Sequence, residues 1–268
     1  MSKFGTFEEY PKDGLMSAQA ALLTAWRSLE RYHNDLVLVG GLAVHYLTRR
    51  DFPGLHAITM DVDFGISLGA SGEQYGTIQT DLSGLGFKIE DHRMVRKFGS
   101  LNLFIDFLTE APPATRGTRT VDDILASVFP GINRALESRR NVSVEGKDFY
   151  GAMQSCTVAV ADIAPLLVLK LNAFGGPQGR RLPKDAYDIL LAVSAFIDGP
   201  TAAIQAFHAE SKMHNSGYTS AVKALKRDFV DPKSDGPIRA AEFMSGSNEE
   251  KKRICQDLAT IGKALLGE

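Results

Sequence analysis

Asp61 and Asp63 stand two residues apart in TMDVDFGI, inside a β-branched and aromatic run (57–67) that predicts a strand. Side chains at i and i+2 of a strand point to one face, so two carboxylates lie side by side while Val62 and Phe64 pack behind them. Adjacent anions repel unless a cation sits between them. Mg²⁺ (or Mn²⁺) answers that need with oxygen ligands, and it leaves coordination sites for phosphates and water. The plain alternative is an edge-strand acid pair facing solvent. Asp106 adds weight to the metal, because it interrupts the apolar strand LNLFIDFLTE (101–110), where an uncompensated charge costs several kcal/mol. If that strand pairs beside the Asp61–Asp63 strand, three carboxylates converge as a metal site able to activate a hydroxyl nucleophile. Otherwise Asp106 is the buried partner of an Arg or Lys.

Other residue types suit an anionic ligand. Gly40 and Gly41 separate the apolar LVLV from the helical composition of LAVHYLTRR, a place where backbone N–H groups can approach phosphate oxygens. Arg49 and Arg50 end that predicted helix and are candidate phosphate clamps, although helix C-termini favour cations in any case. Lys170, in PLLVLKLNAF, shares a helix face with Ile163, Leu167 and Phe174, so its ammonium either reaches water or meets an anion. Asp185 and Asp188 are three apart on the next predicted helix and are placed to orient that lysine. Arg93, Arg96 and Lys97, with Arg180, Arg181 and Lys184, form two basic groups that suit RNA if they share a surface.

The elements that must position these residues fall into two parts. Residues 1–160 read as a mixed α/β core: a helix over 16–32, a strand over 36–39, the Gly-Gly helix, the acid strand and a helix over 72–85. Short strands follow in FKIED and HRMVRKF, then the Asp106 strand, a loop over 111–120, a short helix in TVDDILASVF, and hairpin strands over 141–161. Residues 161–268 read as helices, completing the active site and recognising the acceptor.

With 268 residues, 44% hydrophobic and 23% charged, the chain can bury its own core. A formal charge of -2 argues against a surface coated in positive charge. Cys156 and Cys255 have neither disulfide nor zinc spacing and are expected as reduced thiols. No secretory leader or membrane-length apolar run is evident, so a cytoplasmic protein is expected.

Taken in order, VGGLAVHYLTRR, TMDVDFGI, LFIDFL, DIAPLLVLKLNAF and KDAYDI resemble the nucleotidyltransferase-fold toxins of the AbiEii type over about residues 36–190. The resemblance implies an α+β nucleotidyltransferase fold, a mixed sheet with flanking helices followed by a helical C-terminal part. It further implies a nucleoside triphosphate (NTP) and Mg²⁺ as ligands, transfer of a nucleoside monophosphate to a tRNA or other RNA acceptor, and a cognate antitoxin as partner. Asp61 and Asp63 match its metal-binding acids, Gly40 and Gly41 its phosphate-binding turn, and Lys170 with Asp185 or Asp188 its later motif positions. Asp106 is expected as third acid and base. Gly41 stands where many members of the superfamily carry Ser, so one hydroxyl contact to phosphate is missing. A small-molecule nucleotidyltransferase and a catalytically silent binding protein of the same fold are the competing readings.

Overall fold

The computed structural model describes residues 5–70, 77–91 and 93–268. The chain divides into two compact units. A sheet unit holds Lys12–Tyr46 and Ile58–Asp162. A helical unit holds Met1–Pro11, Leu47–Ala57 and Ile163–Glu268, so two early segments that read from sequence as part of the α/β core cluster with the late helices.

In the sheet unit, α1 (Gly14–Ser28) precedes β1 (Leu36–Val39), α2 (Gly40–Leu47) and β2 (Asp61–Ile66). Then come α3 (Ile78–Gly84), β3 (Lys88–Glu90), β4 (Arg93–Phe98) and β5 (Leu101–Thr109). The helix expected over 72–85 is seen from Ile78; residues 71–76 lie outside the described residues. β6 (Thr118–Val121), β7 (Ile124–Val128), α4 (Ile132–Glu137), β8 (Arg139–Lys147) and β9 (Met153–Ala161) complete the unit.

The nine-stranded sheet runs β3-β4-β5-β2-β1-β9-β8, with β7 added to β5 and β6 to β7. Its pairing is mixed. β1–β9, β2–β5 and β5–β7 are parallel, and β1–β2, β3–β4, β4–β5, β6–β7 and β8–β9 are antiparallel.

The alternation along β2 decides what each face does. Val62 and Phe64 are fully buried, and the Phe64 ring lies 5.9 Å from Trp26 of α1. Trp26 is held in turn by its indole N–H donating to Thr157 O at 2.9 Å. On the opposite face Asp61 and Asp63 are followed by Gly65, where a Cβ would meet Val37 and Ile132 of α4. Thus α4 covers that face further along β2 from the acids. The N–H groups of Gly131 and Asn133 at its start donate to Glu110, a buried carboxylate at the end of β5, at 3.0 and 2.9 Å.

TVDDILASVF does not form the expected helix. Asp122 and Asp123 take positive φ values of 47° and 69° and turn β6 back onto β7. The Asp122 carboxylate accepts from the Tyr32 hydroxyl and from Ile78 N, fastening that turn to α3.

The helical unit is built around α5 (Ile163–Gly175), buried on nearly every side by α6 (Pro183–Ser194), α7 (Pro200–Glu210) and α8 (Tyr218–Asp228). A helix apolar all round belongs in such a position. α9 (Asp235–Met244) packs on α6, and α10 (Asn248–Leu266) on α9 and α7. Phe7 and Tyr10, from the first segment, set their rings edge-on against Phe243 of α9. Among the described residues no helix is long and apolar enough to cross a membrane.

Candidate active site

The sheet register assembles the acids. In β2 Asp63 lies opposite Val39 of β1 on one side and opposite Asp106 of β5 on the other. Asp61, Asp63 and Asp106 therefore share a face at adjacent strands, as the expectation of neighbouring strands required.

Val39 leads directly into Gly40, whose φ is +71°, and a Cβ built there would fall on the Asp63 carboxylate. Only glycine lets the backbone enter α2 at that point while Asp63 keeps its place. Gly40 and Gly41 form the first residues of α2, so the strand, Gly-Gly, helix reading holds for the backbone.

The third acid has a partner. Arg93 Nε and Nη2 donate to the two oxygens of Asp106, each at 2.5 Å, and Nη2 lies 3.3 Å from Asp61 Oδ1. The guanidinium also lies 4.0 Å over the Phe104 ring. This planar fork matches a carboxylate in two parallel hydrogen bonds. Burial raises the Asp106 pKa most; the Arg93 hydrogen bond opposes it, and the Asp63 and Asp61 charges add to it, giving about 6. Among the described residues no group of three His, Cys, Asp or Glu side chains is arranged to hold a metal ion. The three expected carboxylates thus stand on one sheet face, with Arg93 paired to the third of them.

Sequence reading placed Arg93 only among surface basic residues. The missed signal was arithmetic: Met94 pairs with Ile105 and Phe98 with Leu101 about the Gly99–Ser100 turn. Counting back by the same rule sets Arg93 opposite Asp106.

Residues 21–259 match the family described as Nucleotidyl transferase AbiEii toxin, Type IV TA system. The chain belongs to the AbiEii family. Comparison with curated proteins gave no match. Its mixed sheet with flanking helices agrees with the nucleotidyltransferase fold of that family.

A divalent cation is implied for an AbiEii nucleotidyltransferase, and the residues present fit one. Asp61 and Asp63 offer hard oxygen donors from one strand face. Three carboxylates against one guanidinium leave the site net negative.

Lys170, Asp185 and Asp188 gather in the helical unit. Lys170 on α5 and Lys184 on α6 donate to the same oxygen of Asp188, at 2.6 and 2.7 Å. Asp185 Oδ1 lies 3.8 Å from Lys170 Nζ, and Arg180 reaches Asp185 at 3.4 Å. Lys170 therefore meets an anion within its own unit, and Asp185 and Asp188 do face it. Burial alone would raise the Asp188 pKa, but the two ammonium groups outweigh it and hold the carboxyl below its ordinary value.

The remaining candidates sit differently. Helix α2 ends at Leu47, so Arg49 and Arg50 lie beyond it, exposed, in the helical unit, with Arg49 over the Phe52 ring at 5.2 Å. Much of the basic charge expected to suit RNA is engaged internally. Arg93 holds Asp106, Arg96 donates to Leu85 O at 2.5 Å, Arg181 pairs with Asp235 and Asp228, and Lys184 is buried on Asp188.

Proposed function

We propose that the protein transfers a nucleoside monophosphate from an NTP to a hydroxyl of an RNA acceptor, with Asp61 and Asp63 holding a divalent cation. One observation carries this reading: two same-face carboxylates stand against a positive-φ glycine that opens a helix, in an AbiEii family chain. In this scheme the Gly40–Gly41 backbone receives the triphosphate, since N–H groups at a helix start attract phosphate oxygens. The bound cation supplies Lewis acidity at those oxygens. The acceptor oxygen bonds to the α-phosphorus while the bond to the bridging oxygen breaks, and pyrophosphate departs with that electron pair. The hydroxyl proton leaves to solvent, while the Arg93 fork holds Asp106 beside the reacting groups. Lys170, Asp185 and Asp188 are proposed nucleotide-binding residues on family motif position alone, and Lys170→Met is expected to raise KM for the NTP. The Type IV TA description of the family supports a cognate antitoxin, and RNA is proposed as the acceptor on the resemblance alone.

The test incubates the protein with Mg²⁺, each α-labelled NTP in turn and total RNA, beside Asp63→Ala. Label in RNA with one preferred NTP, absent from a folded Asp63→Ala protein, is the expected result. Label persisting in that variant overturns the assignment of the acids, and unlabelled RNA overturns RNA as acceptor.

A further inference from the structure

We propose that Arg93 takes the place of a second metal ion. The site then holds a single divalent cation, on Asp61 and Asp63, and Asp106 serves to hold the arginine. The inference rests on the reading that Asp61 and Asp63 bind such a cation.

Arg93 is built into its position rather than resting there. The β4–β5 register sets it opposite Asp106, the fork occupies both Asp106 oxygens at 2.5 Å, and Phe104 lies beneath the guanidinium at 4.0 Å. From there Nη2 reaches Asp61 at 3.3 Å, so one delocalised cation bridges the first and third acids. That bridge is the position a second ion would need if all three carboxylates were ligands. A planar group held by two parallel hydrogen bonds and an aromatic face is fixed in orientation, unlike a lysine ammonium on a flexible stem. Its side chain is 26% exposed, so a substrate phosphate can reach it.

Mn²⁺ alone is the probe, counted by calorimetry and by electron paramagnetic resonance on the full chain. Wild type is expected to bind one Mn²⁺, and Asp63→Ala none. Asp106→Asn is expected to keep that ion within roughly threefold of wild-type affinity, because Asp106 is not a ligand. Arg93→Gln is expected to admit a second Mn²⁺, or to tighten the first by about tenfold or more as the competing charge is removed. Circular dichroism verifies folding of each variant. Two ions in wild type, or loss of the ion in folded Asp106→Asn, overturns the role given to Arg93 while leaving the acids as metal ligands. No Mn²⁺ bound by wild type overturns the metal reading, and this inference falls with it. Should Arg93→Gln fail to fold, the wild-type stoichiometry and Asp106→Asn still decide.

Discussion

Asp188 accepts two ammonium groups on one oxygen, and the three residues are each at most 6% exposed. Removing the shared anion leaves two buried cations without it, so Asp188→Asn is expected to cost about 3–5 kcal/mol in urea unfolding. Lys170→Met leaves the Asp188–Lys184 pair standing and is expected to cost less. The same depressed pKa gives a direction with acid. The folded carboxyl titrates below its ordinary value of 3.8, so its stabilisation is complete above about pH 4 and is lost as pH falls through the folded value. Acid titration of the helical signal measures this, and Asp188→Asn should flatten it. At Gly40, an alanine combines a left-handed backbone with a Cβ placed on Asp63. Gly40→Ala is expected to cost roughly 1–3 kcal/mol and to weaken Mn²⁺ binding, since Asp63 must move. An unchanged Mn²⁺ affinity would show that Asp63 has another place to go.

At the scale of elements, legibility followed how local the cause was. β1, α2, β2 and β5 were readable because short apolar or β-branched runs and a glycine pair are written in adjacent residues. The hairpin of β6 and β7 was not. Asp122 and Asp123 adopt the left-handed region without the Asn-Gly or Asp-Gly signature of such turns, and Asp122 is held there by Tyr32 and Ile78, distant in sequence. Asp123 is exposed at φ 69°, so Asp123→Gly is expected to be neutral or to stabilise by up to about 1 kcal/mol, whereas Asp123→Ile destabilises. Thermal melts of the pair check the sign. In the site, the two β2 acids were legible by spacing. The partner of Asp106 required pairing two strands first, and Arg93 became visible only in that register.

For the molecule as a whole, connectivity is the feature that sequence left hidden. The chain passes between the units four times, since 1–11 and 47–57 belong with 163–268. A division near residue 160 therefore does not separate two self-sufficient parts. The fragment 163–268 lacks Phe7 and Tyr10, whose rings pack on Tyr187 and Phe243. It also lacks Thr48, which bridges to Phe196, and Arg49, whose N–H donates to Ala195 O. It is expected to show reduced helical signal and to bind a hydrophobic dye. A cooperative melt with full helicity would contradict this.

That connectivity also sets a timetable on the ribosome. The sheet unit has all its residues once Asp162 has left the exit tunnel, whereas residues 5–11 and 47–57 wait for helices translated after it. At roughly 5–20 residues per second, the delay is on the order of ten seconds. During it Phe7 and Tyr10 are without their aromatic partners and open to chaperones. The nascent chain is thus expected to carry its acids in the sheet unit before Phe7 and Tyr10 gain their aromatic partners.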